Sequence, residues 1–126
     1  MKKEILVIDD NSDIRFLICK ILQESGYTIR SAANYSQAVE EINTKLPDLA
    51  IVDIKRDKGD KDGIDLLKLI VRKNKTLPVI MISGHANVQV AVEAIRLGAY
   101  EFVEKPFSSE KLLNYVKRAF ELTNVR

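Results

Sequence analysis

Short apolar runs alternate along this chain with stretches of helical periodicity, and the alternation never breaks. Ile5-Leu6-Val7-Ile8, Leu49-Ala50-Ile51-Val52, Val79-Ile80-Met81-Ile82 and Phe102-Val103 read as strands. Tyr27-Thr28-Ile29-Arg30-Ser31 alternates like another. Helices are expected between them. The first, near 12–25, carries Ile14, Leu17, Ile18, Ile21 and Leu22 on one stripe and ends at Gly26. The second is capped by Ser36, bears Ala38, Val39, Ile42 and Leu46, and stops before Pro47. The third covers about 64–73. The fourth covers about 87–97 and ends at Gly98. The fifth, near 109–123, shows Leu112, Val116, Ala119 and Phe120 on one face. Pro78 opens the fourth strand, where a proline is permitted. Strands joined by helices run parallel with right-handed crossovers, so the fold class is α/β, a parallel sheet between two helical layers. A chain of 126 residues suits one domain. All of 1–126 is read as that domain, with its core over 4–122 and 123–126 as the start of a linker.

Parallel strands end on one edge of their sheet, and ligands bind at that edge. Asp9, Asp10, Asp53, Ser83 and Lys105 each lie just past a strand run, so the topology gathers them. Taken singly, each has an ordinary role as a loop aspartate, a turn serine or a surface lysine. Gathered, they are three carboxylates, a hydroxyl and an ammonium. The adjacent carboxylates of Asp9 and Asp10 repel and must be hydrated, paired or metal-bound. One of them capping the first helix, with the other solvated, is the plain alternative. Mg²⁺ prefers such carboxylate oxygens. Ser83 can donate to a phosphoryl oxygen, and Gly84 leaves room for a ligand to approach the backbone. Lys105 precedes Pro106, and X-Pro bonds admit the cis form. A carboxylate can attack phosphorus, a reaction that needs alignment and charge neutralisation more than covalent help. Asp53 is the best nucleophile, because no adjacent carboxylate competes with it.

A formal net charge of +2 gives no reason to expect nucleic-acid or membrane binding. No apolar stretch approaches the ~20 residues that span a bilayer. Cys19 has no partner for an internal disulfide, and no signal peptide is recognisable, so a cytoplasmic protein is expected. The fourth helix is apolar on two sides. Val88, Ala91, Val92 and Ile95 form one stripe, and Val90, Ala94 and Leu97 form the other. The second stripe is assigned to a partner interface.

The pair Asp9-Asp10, strand-end Asp53, Ser83-Gly84 and Lys105-Pro106-Phe107, in register over the whole chain, resemble the receiver domain of two-component response regulators. The resemblance implies a flavodoxin-like, CheY-like fold with five strands in the order 2-1-3-4-5 and five helices. It implies a signalling switch in which a sensor histidine kinase phosphorylates Asp53. Mg²⁺ would be held by Asp10, Asp53 and the backbone carbonyl of Lys55, with Asp9 acting through water. Ser83, Gly84 and Lys105 would bind the phosphoryl group. Ser83 and Phe102 would form the switch pair, with Phe102 favoured inward even without phosphate because its ring is apolar. Lys55 and His85 would tune phosphate lifetime. The face formed by the fourth helix, fifth strand and fifth helix would serve homodimerisation on phosphorylation and contact with an output domain. Such a domain is not a turnover enzyme, although it assists its own phosphorylation and dephosphorylation.

Most receivers carry a proline four residues after the phosphoacceptor and a glycine eight after it. Here Asp57 takes the first place, and Gly63 comes two residues late, beyond the charged loop Lys55–Asp62. That loop, Ser83-Gly84-His85-Ala86-Asn87 and the stretch from Ala94 to Phe107 resemble the NtrX branch of nitrogen-type regulators. Members of that branch attach an AAA+ ATPase and a DNA-binding helix-turn-helix, so the receiver part of such a transcription regulator is expected. A stand-alone regulator is the alternative. A haloacid-dehalogenase-type phosphatase fits poorly, because that family spaces its two first-loop aspartates apart and uses a cap. A flavin-binding flavodoxin fits poorly too, because Asp9–Asp13 is acidic where a phosphate loop is needed. A degenerate docking module would not need all five site residues.

Overall fold

The three central strands of the sheet bury both of their faces, which is why their sequences read as continuous apolar runs. The computed structural model describes residues 2–54, 63–84 and 88–124. Its strands are β1 (Glu4–Ile8), β2 (Thr28–Ala32), β3 (Leu49–Asp53), β4 (Val79–Ser83) and β5 (Glu101–Glu104). They form one parallel sheet in the order β2-β1-β3-β4-β5, as the resemblance implies. The helices are α1 (Ser12–Glu24), α2 (Tyr35–Thr44), α3 (Gly63–Lys73), α4 (Val88–Arg96) and α5 (Ser109–Asn124). None of the described helices is long and apolar enough to cross a membrane.

The period-two pleat sorts the core into two clusters. Ile5, Val7, Leu49, Ile51, Ile80, Ile82 and Val103 pack with Ile18 and Leu22 of α1 and with Leu112, Val116 and Phe120 of α5. Leu6, Ile8, Ala50, Val52, Val79 and Met81 pack with α2, α3 and Ala94 of α4. β2 lies at an edge and is only partly covered, which accounts for its alternating sequence.

Three sequence expectations need correction. On α1, Ile18 and Leu22 are buried, but Leu17 is 51% exposed and Phe16 70%. Leu17 lies about 100° round the helix from Ile18, outside the arc that meets the sheet. On α2 the N-cap is Asn34, whose side chain accepts the Gln37 amide at 2.9 Å, and not Ser36. Gln37 reciprocates by accepting from the Ala33 amide at 2.8 Å.

On α4 the two stripes are exchanged. Ala94 is fully buried, and Val90 and Leu97 pack against the core. Val88, Val92 and Ile95 face outward, at 80%, 49% and 46% exposure. The end of α4 is pressed onto α3 at Gly98, where φ is +116° and an added Cβ would sit 3.0 Å from Val71. The stripe of Val90, Ala94 and Leu97 is the one that meets the core. Val90, Ala94 and Leu97 are therefore core residues and not a partner surface.

Arg30 clasps the amino-terminal edge of the sheet. Its guanidinium donates to Glu4 on β1 at 3.0 Å and to the Glu41 carboxylate on α2 at 2.9 Å. It also reaches the carbonyls of Glu41 and Lys45, at 3.0 and 2.6 Å, where α2 ends. The side chain is 20% exposed, so these contacts are worth more than a surface pair. Arg30→Ala is expected to lower stability by about 1–2 kcal/mol, read as a lower urea midpoint with an unchanged slope.

Candidate functional site

The sheet order reverses direction at β1. Its neighbours are β2 on one side and β3 on the other, so a crevice opens beyond the carboxyl ends of β1 and β3. Ile8 pairs with Val52, which brings Asp9 level with Asp53. Asp9, Asp53 and Lys105 all continue the parity of residues that face α1 and α5. The three side chains accordingly meet. Lys105 Nζ lies 3.2 Å from Asp9 Oδ2 and 3.0 Å from Asp53 Oδ1. The Lys105 amide donates to the Ser83 carbonyl at 2.8 Å, anchoring the end of β5 to β4. The Lys105–Pro106 bond is cis.

Asp9 and Asp53 are buried, at 1% and 7% exposure, whereas Asp10 is exposed. One carboxylate oxygen from each of the three lies within 4.8 Å of the others. Buried carboxylates are costly unless paired, and here one ammonium serves two of them. Three carboxylates and one ammonium leave a formal charge of −2 (3 × −1 plus +1). An all-oxygen donor set with that deficit fits a hard divalent cation. Neither aspartate is used up as a helix cap. Asn11 caps α1, accepting the amides of Asp13 and Ile14 at 3.0 and 3.1 Å.

Ser83 is buried at the end of β4. Its parity follows Val79 and Met81, on the face that Phe102 also occupies. Met81 is the register partner of Phe102, so Ser83 and Phe102 are diagonal neighbours on adjacent strands. Phe102 is half-buried against the α3–α4 cluster. Gly84 is exposed, and a Cβ there would stand 3.9 Å from the Lys105 stem. Lys55 and His85 lie outside the described residues. Burial pushes the Cys19 thiol up, against the opposing pull of Arg15, so it stays protonated and unreactive at neutral pH.

The family profile of the response regulator receiver domain matches residues 5–117. The chain belongs to that family. This receiver domain is 41% identical to the nitrogen assimilation regulatory protein NtrX of Azorhizobium caulinodans over 126 residues. The match takes in all of the chain but 28% of that protein, so the chain spans about a quarter of such relatives. The crystal structure of the NtrX receiver domain from Brucella abortus is 44% identical, with a TM-score of 0.86 over 93% of this chain and 98% of that one. The solution structure of the beryllofluoride-activated NtrC4 receiver domain dimer is 37% identical, with a TM-score of 0.87 over 95% and 98%. Receiver domains bind Mg²⁺ at an acidic pocket, and this one has the aspartates for it.

The sequence reading missed one supporting residue. Gly63, although two positions later than usual, opens α3 directly against β3. A Cβ on it would lie 2.8 Å from the Asp53 carbonyl oxygen and 3.0 Å from Val52. Only the absence of a side chain lets α3 begin so close to β3. Gly63→Ala is expected to lower stability by about 1–3 kcal/mol through that overlap. An unchanged urea midpoint would show that the helix end yields freely.

Proposed function

We propose that residues 1–126 form one receiver domain that accepts a phosphoryl group on Asp53 from a sensor histidine kinase. Asp9, Asp10, Asp53 and the Lys55 backbone carbonyl would hold Mg²⁺, which when bound helps neutralise the phosphoryl oxygens. The observation that carries this reading is the bridge of Lys105 between Asp9 and Asp53, with all three carboxylates converging beside it.

A carboxylate oxygen of Asp53 attacks phosphorus, the phosphorus–nitrogen bond of the phosphohistidine breaks, and the imidazole leaves with the bonding electrons. Lys105 is already placed to offset charge on the phosphoryl oxygens. The Ser83 hydroxyl donates to one of them, and Gly84 leaves its backbone accessible. Water later removes the phosphoryl group, with Lys55 and His85 setting the rate. The domain is a phosphoacceptor and not a turnover catalyst.

Drawing Ser83 toward the phosphate changes the space beside Phe102 on the α3–α4 face. That links the pocket to α4, β5 and α5. The outward stripe Val88, Val92 and Ile95 replaces Val90, Ala94 and Leu97 as the apolar part of this face. We assign the face to homodimerisation on phosphorylation and to contact with AAA+ and DNA-binding output domains in a longer, cytoplasmic NtrX-like transcription regulator. The receiver itself contacts neither DNA nor membrane.

One experiment tests the reading. With acetyl phosphate and Mg²⁺, the chain should gain the mass of one phosphoryl group, and Asp53→Asn should gain none. Beryllofluoride with Mg²⁺ should shift the unaltered chain, but not Asp53→Asn, from monomer towards dimer. Equal phosphorylation of the two proteins would remove Asp53 from the mechanism.

A further inference from the structure

Every polar atom of Asp9 is engaged by a different part of the chain. Its amide donates to Ala32 on β2 at 3.2 Å. Oδ1 accepts the Asn11 amide at 2.9 Å, and Oδ2 accepts from Lys105 at 3.2 Å. The fourth contact is the shortest. The Asp9 carbonyl oxygen accepts from Nη1 of Arg15, in the first turns of α1, at 2.6 Å.

That arginine stands in an unfavourable place for a cation. The amino-terminal end of a helix carries partial positive charge. The neighbouring pocket is also one that a divalent cation must enter. A residue kept there against both effects needs a compensating contact, and the bond to the Asp9 carbonyl is one. A guanidinium bond to a carbonyl is charge-assisted and directional.

We propose that Arg15 is a positioning residue for the acidic pair. The peptide unit is planar, so the Asp9 carbonyl and the amide and Cα of Asp10 move together. Holding that oxygen fixes the peptide plane from which Asp10 Cα departs, and so narrows the directions its side chain can take. Asp10 is exposed, so packing does little to orient it. Arg15 thereby aims the third carboxylate at Asp9 and Asp53 without itself occupying a carboxylate oxygen. This inference rests on the Mg²⁺ reading of the pocket.

Charge and geometry predict opposite signs, which makes the test decisive. If Arg15 acted through its field alone, removing it would tighten Mg²⁺ binding. If it positions Asp10, Arg15→Ala should weaken Mg²⁺ about tenfold, the usual scale for a residue that orients a metal ligand. Arg15→Lys, which keeps the charge and a donor, should recover part of the loss. Calorimetric titration with MgCl₂ reads the affinity, and urea unfolding without Mg²⁺ confirms that each variant is folded. If Arg15→Ala does not fold, Arg15→Gln is read by the same criterion. Mg²⁺ binding to the variant as tight as, or tighter than, to the unaltered chain would overturn the proposal. An unaltered chain that binds no Mg²⁺ would instead overturn the reading of the pocket, and this inference with it.

Discussion

The ion pairs of Lys105 with Asp9 and Asp53 hold together groups 96 and 52 residues apart in the chain. Two carboxylates are taken almost wholly out of water there, and the Lys105 ammonium faces both. Such an arrangement, with two carboxylates buried side by side, is costly by itself. It persists because the sheet leaves no choice. β1, β3 and β5 deliver Asp9, Asp53 and Lys105 to the same edge and the same side, and their apolar bodies are locked between helical layers. The core thus supports a cluster of three carboxylates and one ammonium, an oxygen donor set that suits a divalent cation.

The same pleat that directs these three residues to the α1–α5 side directs Ser83 and Phe102 to the other. The pocket therefore has its charged groups on one side of the sheet and Ser83 with Phe102 on the other. β4 and β5 are tied where the Lys105 amide meets the Ser83 carbonyl, so the two sides share a backbone bond. α4 covers the side that Phe102 occupies, with Ala94 inward and Val88, Val92 and Ile95 outward. Beyond the pocket, Gly63 marks the place where α3 approaches β3 too closely for a side chain, and Gly98, at a positive φ after α4, sits where a Cβ would crowd Val71 of α3.

Strands and site were legible in the sequence for a common reason. Strands buried on both faces must be apolar throughout, and a polar residue at the end of such a run is conspicuous. Asp9, Asp53, Ser83 and Lys105 each stood in that place, and parallel topology did the rest. What stayed hidden depended on tertiary contact. Both stripes of α4 are apolar, and only tertiary packing against the core decides which is buried. Leu17 shares the spacing of Ile18 but falls outside the covered arc. Asn34 and Ser36 are both good caps two residues apart, and the reciprocal bonds of Gln37 select the former. The Arg15 contact left no trace, because a backbone carbonyl has no signature in a sequence.

The balance of charge in the pocket is tested most directly by the stabilisation that Mg²⁺ gives Lys105→Met, compared with the unaltered chain, in urea unfolding. The substitution keeps the apolar stem and takes the formal charge from −2 to −3 (−2 less the +1 of Lys105). Without Mg²⁺ the variant should be less stable by about 2 kcal/mol or more, since two buried carboxylates lose their partner. It should then gain more from Mg²⁺ than the unaltered chain does, because the cation no longer shares those oxygens with an ammonium. Equal stability without Mg²⁺, or no larger gain with it, would contradict the account.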